Sequence, residues 1–169
     1  MHRAYTIARI TPVQVDAAYL LAGSFLPVLE IESWRRHCDA LLDGSASGSR
    51  HDVVVAANPR GYIQGLSVQS VISHAVHGDV LDAPIFAVAS AADEIGVAGA
   101  LFRQLCMTAG RLDCAAIRIR TGAAEHWHRV LVNCPLADCR YRVPVILDTM
   151  PLPDLAWLAP QDDGRPVKT

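Results

Sequence analysis

Lysine is almost absent from this sequence of 169 residues: of 15 basic side chains only Lys168 is a lysine, and the rest are arginine. A lysine nucleophile or Schiff base in the body of the chain is thereby excluded. Long apolar runs are also missing. No stretch approaches the roughly 18–20 residues that span a bilayer as a helix, and Met1–Thr11 has no apolar segment of the signal-peptide kind. Nor does one sign of charge dominate. The formal net charge of −2 gives no bulk attraction to nucleic acid or anionic lipid, so neither is expected as a partner. The five cysteines (Cys38, Cys106, Cys114, Cys134 and Cys139) are odd in number and widely scattered. They read as reduced, small apolar residues, and a cytoplasmic location is expected. His126-x-His128 near Cys134 and Cys139, and the pair His74 and His77, are ligand types zinc uses. Their spacing is looser than that of structural zinc sites, so no metal is expected.

What is present describes a globular domain. Apolar residues make up 51% and charged residues 19% of the chain, and the length suffices for one core without staples. Tyr5–Ile10 alternates and predicts an opening strand. Thr11 and Pro12 signal a helix start, so a first helix is expected over Val13–Leu21, interrupted before Pro27. Ile31–Leu42 places Trp34, Cys38, Leu41 and Leu42 on one stripe and predicts a second helix. Gly44–Arg50 reads as a connector by composition. His51–Ala57 and Tyr62–Ser73 predict two strands of a hairpin around Asn58-Pro59-Arg60-Gly61. Leu81–Ser90 is a nearly continuous apolar run and predicts a central strand. A long helix over Val97–Leu112, a strand over Cys114–Arg120, a short helix over Ala123–Val132 and a last strand over Cys139–Leu147 follow. Pro144 places that last strand at an edge or a bulge. Residues 1–150 read as one domain, and 151–169, rich in Pro and Asp, as a C-terminal tail. The order implies a mixed α/β sheet with helices on both faces.

The most specific stretch is Ile85–Arg120, where a strand leads into Asp93-Glu94-Ile95-Gly96-Val97-Ala98 and then a long helix. With the element order from Tyr5 to about Leu147, it resembles the GNAT superfamily of N-acetyltransferases, whose loop reads Arg/Gln-x-x-Gly-x-Gly/Ala. The glycine and alanine match; Asp93 stands where the family has Arg or Gln. The resemblance implies an α+β fold with a mixed, mostly antiparallel central sheet, and acetyl-CoA as co-substrate. It also implies that Phe86, Ala87 and Val88 offer backbone groups to the pantetheine arm. The amides of Ile95, Gly96, Val97, Ala98, Gly99 and Ala100 would then hold the pyrophosphate, as a helix start with unpaired N–H groups does. An acidic residue at a helix start is also an ordinary cap, and Asp93 fits that role equally.

Acetyl transfer to an amine asks for a base, a carbonyl-polarising donor and an acid for the leaving thiolate. The family often supplies the acid as a Tyr on the short helix after the fifth strand. Here Ala124–Asn133 has none, and offers His126, His128 and Arg129. His128 is the positional substitute, an exposed surface histidine being its other account. Tyr141 is a second candidate donor. Asp79 and Asp82 lie at the entrance to the central strand, and Asp82 ranks first as base. Glu30 and Glu32 lie where the family lines its acceptor pocket. Arg118 and Arg120 share one face of a strand, and Arg140 and Arg142 one face of another, which makes either an anion-binding surface or a salt-bridged solvent face. The expected activity is acetyl transfer to an amine of a small molecule or peptide. The alternative is an inactive binding or regulatory module with an eroded CoA site, or an unrelated α/β domain with the same element order. A homodimer is also expected, because the edge strand near Pro144 and the apolar tail residues Leu155, Trp157 and Leu158 offer a surface to a partner.

Overall fold

A computed structural model describes residues 5–44, 50–121, 123–132, 143–149 and 158. Alternation in the strands and stripes in the helices both find their partners in one sheet. Strand β1 (Thr6–Arg9) leads through a single 3-10 turn at Pro12–Gln14 into helices α1 (Val15–Phe25) and α2 (Ile31–Leu42). Strands β2 (His51–Ala57), β3 (Ile63–His74) and β4 (Gly78–Val88) follow, then α3 (Glu94–Arg111), β5 (Ala116–Arg120), α4 (Ala124–Val132) and β6 (Val145–Asp148). Among the described residues the six strands lie in sequence order, with β1 to β4 antiparallel and β4, β5 and β6 parallel. The mixed, mostly antiparallel sheet expected from the sequence is therefore present.

Helices cover both faces. Val54, Ala56, Val71, Leu81 and Ile117 pack under α3 and α4, while Val53, Val55, Leu66 and Val68 pack under α1 and α2. Trp34 is fully buried, and its indole N–H donates to the Val15 carbonyl at 2.8 Å, which ties α2 to the start of α1. The β2–β3 turn closes as its composition demands. Asn58 Oδ1 accepts from the amides of Arg60 and Tyr62, and Gly61 takes a positive φ of 84°. Gly65 on β3 is needed for space: a Cβ there would stand 2.7 Å from Val97 Cγ1 and 2.8 Å from Leu101 Cδ1, so α3 seats directly on the strand.

Several bounds differ from expectation for local reasons. α1 starts after the 3-10 turn and runs on to Phe25. α3 begins three residues early, because Asp93 caps it at Glu94. Pro144 precedes β6 rather than interrupting it; its carbonyl accepts from the Ile117 amide at 2.8 Å, and among the described residues β6 is an edge strand. Of the tail expected over 151–169, only Leu158 is described, and it packs against the cluster under α1 and α2. Cys38, Cys106 and Cys114 are buried, and burial pushes the Cys38 thiol up to about 12.

His37 on α2 gives the fold a pH dependence. Burial, with the nearby His51 charge, pushes its imidazole down to about 4. The unfolded chain therefore takes up a proton first, and His37's contribution is present above about pH 6.5 and lost as pH falls toward 4. Urea unfolding should show about 2 kcal/mol less stability from this group at pH 5 than at pH 7. A His37→Leu variant should lose that part of the slope; an identical pH dependence in both proteins would refute the assignment.

Candidate active site

The site begins with a break in alternation along β4. Across β3 and β4 the register passes from Val68↔Ile85 to Ser70↔Asp82, so Ala83 and Pro84 together face the single residue Gln69. This is a β-bulge, a place where a proline's missing N–H is tolerated inside a sheet. The bulge inverts which side chains face which layer. Leu81, Ala83, Phe86 and Val88 lie on the α3 side, and Ile85 and Ala87 on the α1–α2 side. The parallel pairing ends here too. β4 and β5 pair from Val80↔Ala116 to Ala83↔Ile119, while β4 stays paired with β3 as far as Val88. From Pro84 to Val88 that edge of β4 has no partner strand among the described residues, because β5 ends at Arg120.

Helix α3 starts soon after β4. Its first three amides are those of Glu94, Ile95 and Gly96, and from Val97 onward the amides belong to the helix ladder, Val97 N–H donating to the Asp93 carbonyl at 3.1 Å. Asp93 turns its side chain back over them. Oδ1 accepts from the Gly96 amide at 3.0 Å and Oδ2 from the Tyr5 hydroxyl at 2.7 Å, and the Asp93 amide donates to Ser90 Oγ at 3.2 Å. The hydrogen bond to Asp93 holds the Tyr5 hydroxyl above its ordinary value. A Cβ on Gly96 would collide with the Asp93 carboxylate, so the glycine makes room for the protein's own anion.

α4 closes the other side. His126 Nε2 lies 2.8 Å from Glu94 Oε1, which joins α4 to the first turn of α3. Beside it the Trp127 ring meets Phe86 edge-on, with centroids 5.1 Å apart and planes at 87°.

Asp82 lies on the opposite face of the sheet, on the α1–α2 side. It is 1% exposed, and each of its oxygens is engaged: Arg118 Nε donates to Oδ1 at 2.7 Å and Arg120 Nη2 to Oδ2 at 3.0 Å. Asp148 Oδ2 stands 3.9 Å from Arg118 Nη1. Arg118 and Arg120 do share one face, as alternation required, but it is a buried ion cluster and not a solvent face. Both Asp82 oxygens are thus committed to guanidinium groups rather than presented to an incoming amine.

The sequence candidates fall into separate places. Phe86, Ala87 and Val88 line the unpaired part of β4, and Ile95, Gly96, Val97, Ala98, Gly99 and Ala100 form the first turns of α3, with Val97, Ala98 and Gly99 buried against the sheet. His128 is exposed on the outer side of α4, in a shallow hollow of about 540 Å³ lined by Ala124, Glu125, Arg129 and Leu147. Tyr141, Arg140, Arg142, Cys134 and Cys139 lie outside the described residues. Tyr5, the His126–Glu94 contact and the Pro84 bulge were not singled out from sequence. Only Pro84, a proline within an apolar strand, carried a local signal. Among the described residues no three His, Cys, Asp or Glu side chains gather as metal ligands, and no helix is long and apolar enough to cross a membrane.

Among the described residues, this mixed six-stranded sheet with helices on both faces is the fold of solved GNAT acetyltransferases. Solved structures with this fold include an aminoglycoside N-acetyltransferase, AAC(6')-Iy, in complex with CoA, with a TM-score of 0.63 at 15% identity over 75% of this chain and 86% of that one. An aminoglycoside 6'-N-acetyltransferase from Acinetobacter haemolyticus aligns at 0.61 with 17% identity, over 75% of this chain and 88% of that one. A GNAT family acetyltransferase from Staphylococcus aureus aligns at 0.56 with 12% identity, over 70% and 87%. No family model and no curated protein matches the sequence.

Proposed function

We propose that this protein transfers an acetyl group from acetyl-CoA to an amine of a small molecule or peptide. The observation that carries the reading is the edge of β4 left without a partner strand among the described residues beyond Ala83↔Ile119, with α3 starting soon after that strand. The unpaired edge over Phe86, Ala87 and Val88 suits an amide-bearing arm, which would take the place of the missing strand. The start of α3, with the helix dipole behind it, suits a pyrophosphate once the Asp93 carboxylate gives up the Gly96 amide. In the reaction the amine nitrogen bonds to the thioester carbon, the C–S bond breaks, the amine gives up a proton and the thiolate takes one. His126, at the α3–α4 junction, is better placed than the outward-facing His128 to supply that proton, with Glu94 orienting its ring.

A second reading rests on Asp93. Its carboxylate already holds the Gly96 amide and the Tyr5 hydroxyl where the phosphates would sit, which favours a binding or regulatory module that no longer takes CoA. Calorimetric titration with acetyl-CoA separates the two. Micromolar binding, followed by thiol release on addition of an amine panel, supports the transferase. No heat at millimolar acetyl-CoA would rule it out for the native protein.

A further inference from the structure

Two carboxylates stand at the start of α3, and each is held by a side chain from elsewhere in the fold. Asp93 Oδ2 accepts from the Tyr5 hydroxyl at 2.7 Å while Oδ1 accepts from the Gly96 amide at 3.0 Å, and Glu94 Oε1 lies 2.8 Å from His126 Nε2 on α4. The Asp93 amide, donating to Ser90 Oγ at 3.2 Å, fixes the backbone that carries the first of them. No basic residue follows in the helix until Arg103, roughly 14 Å along the axis from Glu94. A glycine at a helix start ordinarily leaves room for an anion from outside. Here a Cβ on Gly96 would collide with the Asp93 carboxylate, so that room is already filled from within the chain. A pyrophosphate at this point would displace Asp93 from its two donors and lie beside two like charges. The helix dipole attracts it by about as much as the carboxylates repel it. A neutral, amide-bearing arm on the unpaired edge of β4 meets none of this opposition.

We propose that the acetyl donor is recognised through its arm and not through its nucleotide, so that the donors are acetyl thioesters of pantetheine in general, acetyl-CoA being one of them. This deepens the acetyl-transfer reading and rests on it. The reaction is unaltered: the amine nitrogen bonds to the thioester carbon, the C–S bond breaks, and the sulfur leaves as the pantetheine thiol, with one proton lost by the amine and one taken up by the thiolate.

The test compares S-acetylpantetheine with acetyl-CoA on the native protein, so no variant need fold. Thiol release with an amine panel should give kcat/KM values for the two donors within about threefold of each other, attraction and repulsion at the helix start being of similar size. A preference of about tenfold or more for acetyl-CoA would overturn the inference and leave the transferase standing. Asp93→Asn should move the ratio about tenfold toward acetyl-CoA, and by more at low salt than at high. An unmoved ratio overturns the inference, because something other than Asp93 would then set the indifference to the nucleotide. Calorimetry with pantetheine and CoA repeats the comparison without turnover. Equal affinities with no thiol release from any amine support recognition by the arm and remove the transferase. CoA bound about tenfold more tightly, or pantetheine not bound at all, overturns the inference.

Discussion

Replacing Asp93 with asparagine is expected to tighten acetyl-CoA binding about tenfold, and replacing it with arginine should tighten it further. The carboxylate sits on the amide cluster where a pyrophosphate would lie, accepting from Gly96 and from Tyr5. Two unit charges of like sign a few ångströms apart repel by on the order of 1–4 kcal/mol at intermediate dielectric, and about 1.4 kcal/mol is a factor of ten in affinity. Asparagine isolates this term. Its amide oxygen caps a helix about as well as a carboxylate, so the Gly96 contact and the stability should persist while the charge is gone. Arginine adds attraction but gives up the cap, at a cost of about 1 kcal/mol in folding. Calorimetry at low and moderate salt is the check, because the gain should shrink as salt screens the phosphates. Equal affinities for native and Asp93→Asn proteins would mean that the anion does not bind at the start of α3.

The same residue shows where sequence reading stops. The Asp93-to-Ala98 motif, the strand before it and the helix after it were all legible, because periodicity and a glycine at a helix start are local signals. Ile31–Leu42 is the helix that its apolar stripe describes. The cap that Asp93 makes on Gly96 is itself local, but its second partner is not: Tyr5, 88 positions away in the chain, reaches the other carboxylate oxygen. Asp82 and the two arginines repeat the pattern. Alternation put Arg118 and Arg120 on one face and left Asp82 as an isolated acid. The parallel pairing Asp82↔Arg118 then joins them across 36 positions of sequence. The bulge at Ala83–Pro84 left only the proline as a local sign, since an almost continuous apolar strand carries no alternation whose break would reveal it.

The two carboxylates serve opposite faces of the sheet: Asp93 caps α3 on one, and Asp82 holds Arg118 and Arg120 on the other.

Removing the Asp82 carboxylate should therefore cost stability before it costs chemistry. Asp82→Ala leaves two guanidinium groups, 16% and 19% exposed, facing each other without the carboxylate that separates them. Breaking a buried ion cluster by deleting one member costs about 3–5 kcal/mol. For a domain of this size that corresponds to a fall of about 10 °C in Tm. Replacing all three residues with apolar ones of similar volume should recover much of the loss, because the uncompensated charges leave with their partner. If Asp82 were instead a general base open to the amine, Asp82→Asn would fold with near-native stability and lose its rate of thiol release. Urea unfolding of the single and triple variants, beside the rate per folded molecule, decides between the two. A native-like midpoint for Asp82→Ala would return the residue to the catalytic candidates, while a fall of several kcal/mol that the triple variant repairs makes it the post that holds Arg118 and Arg120 in place.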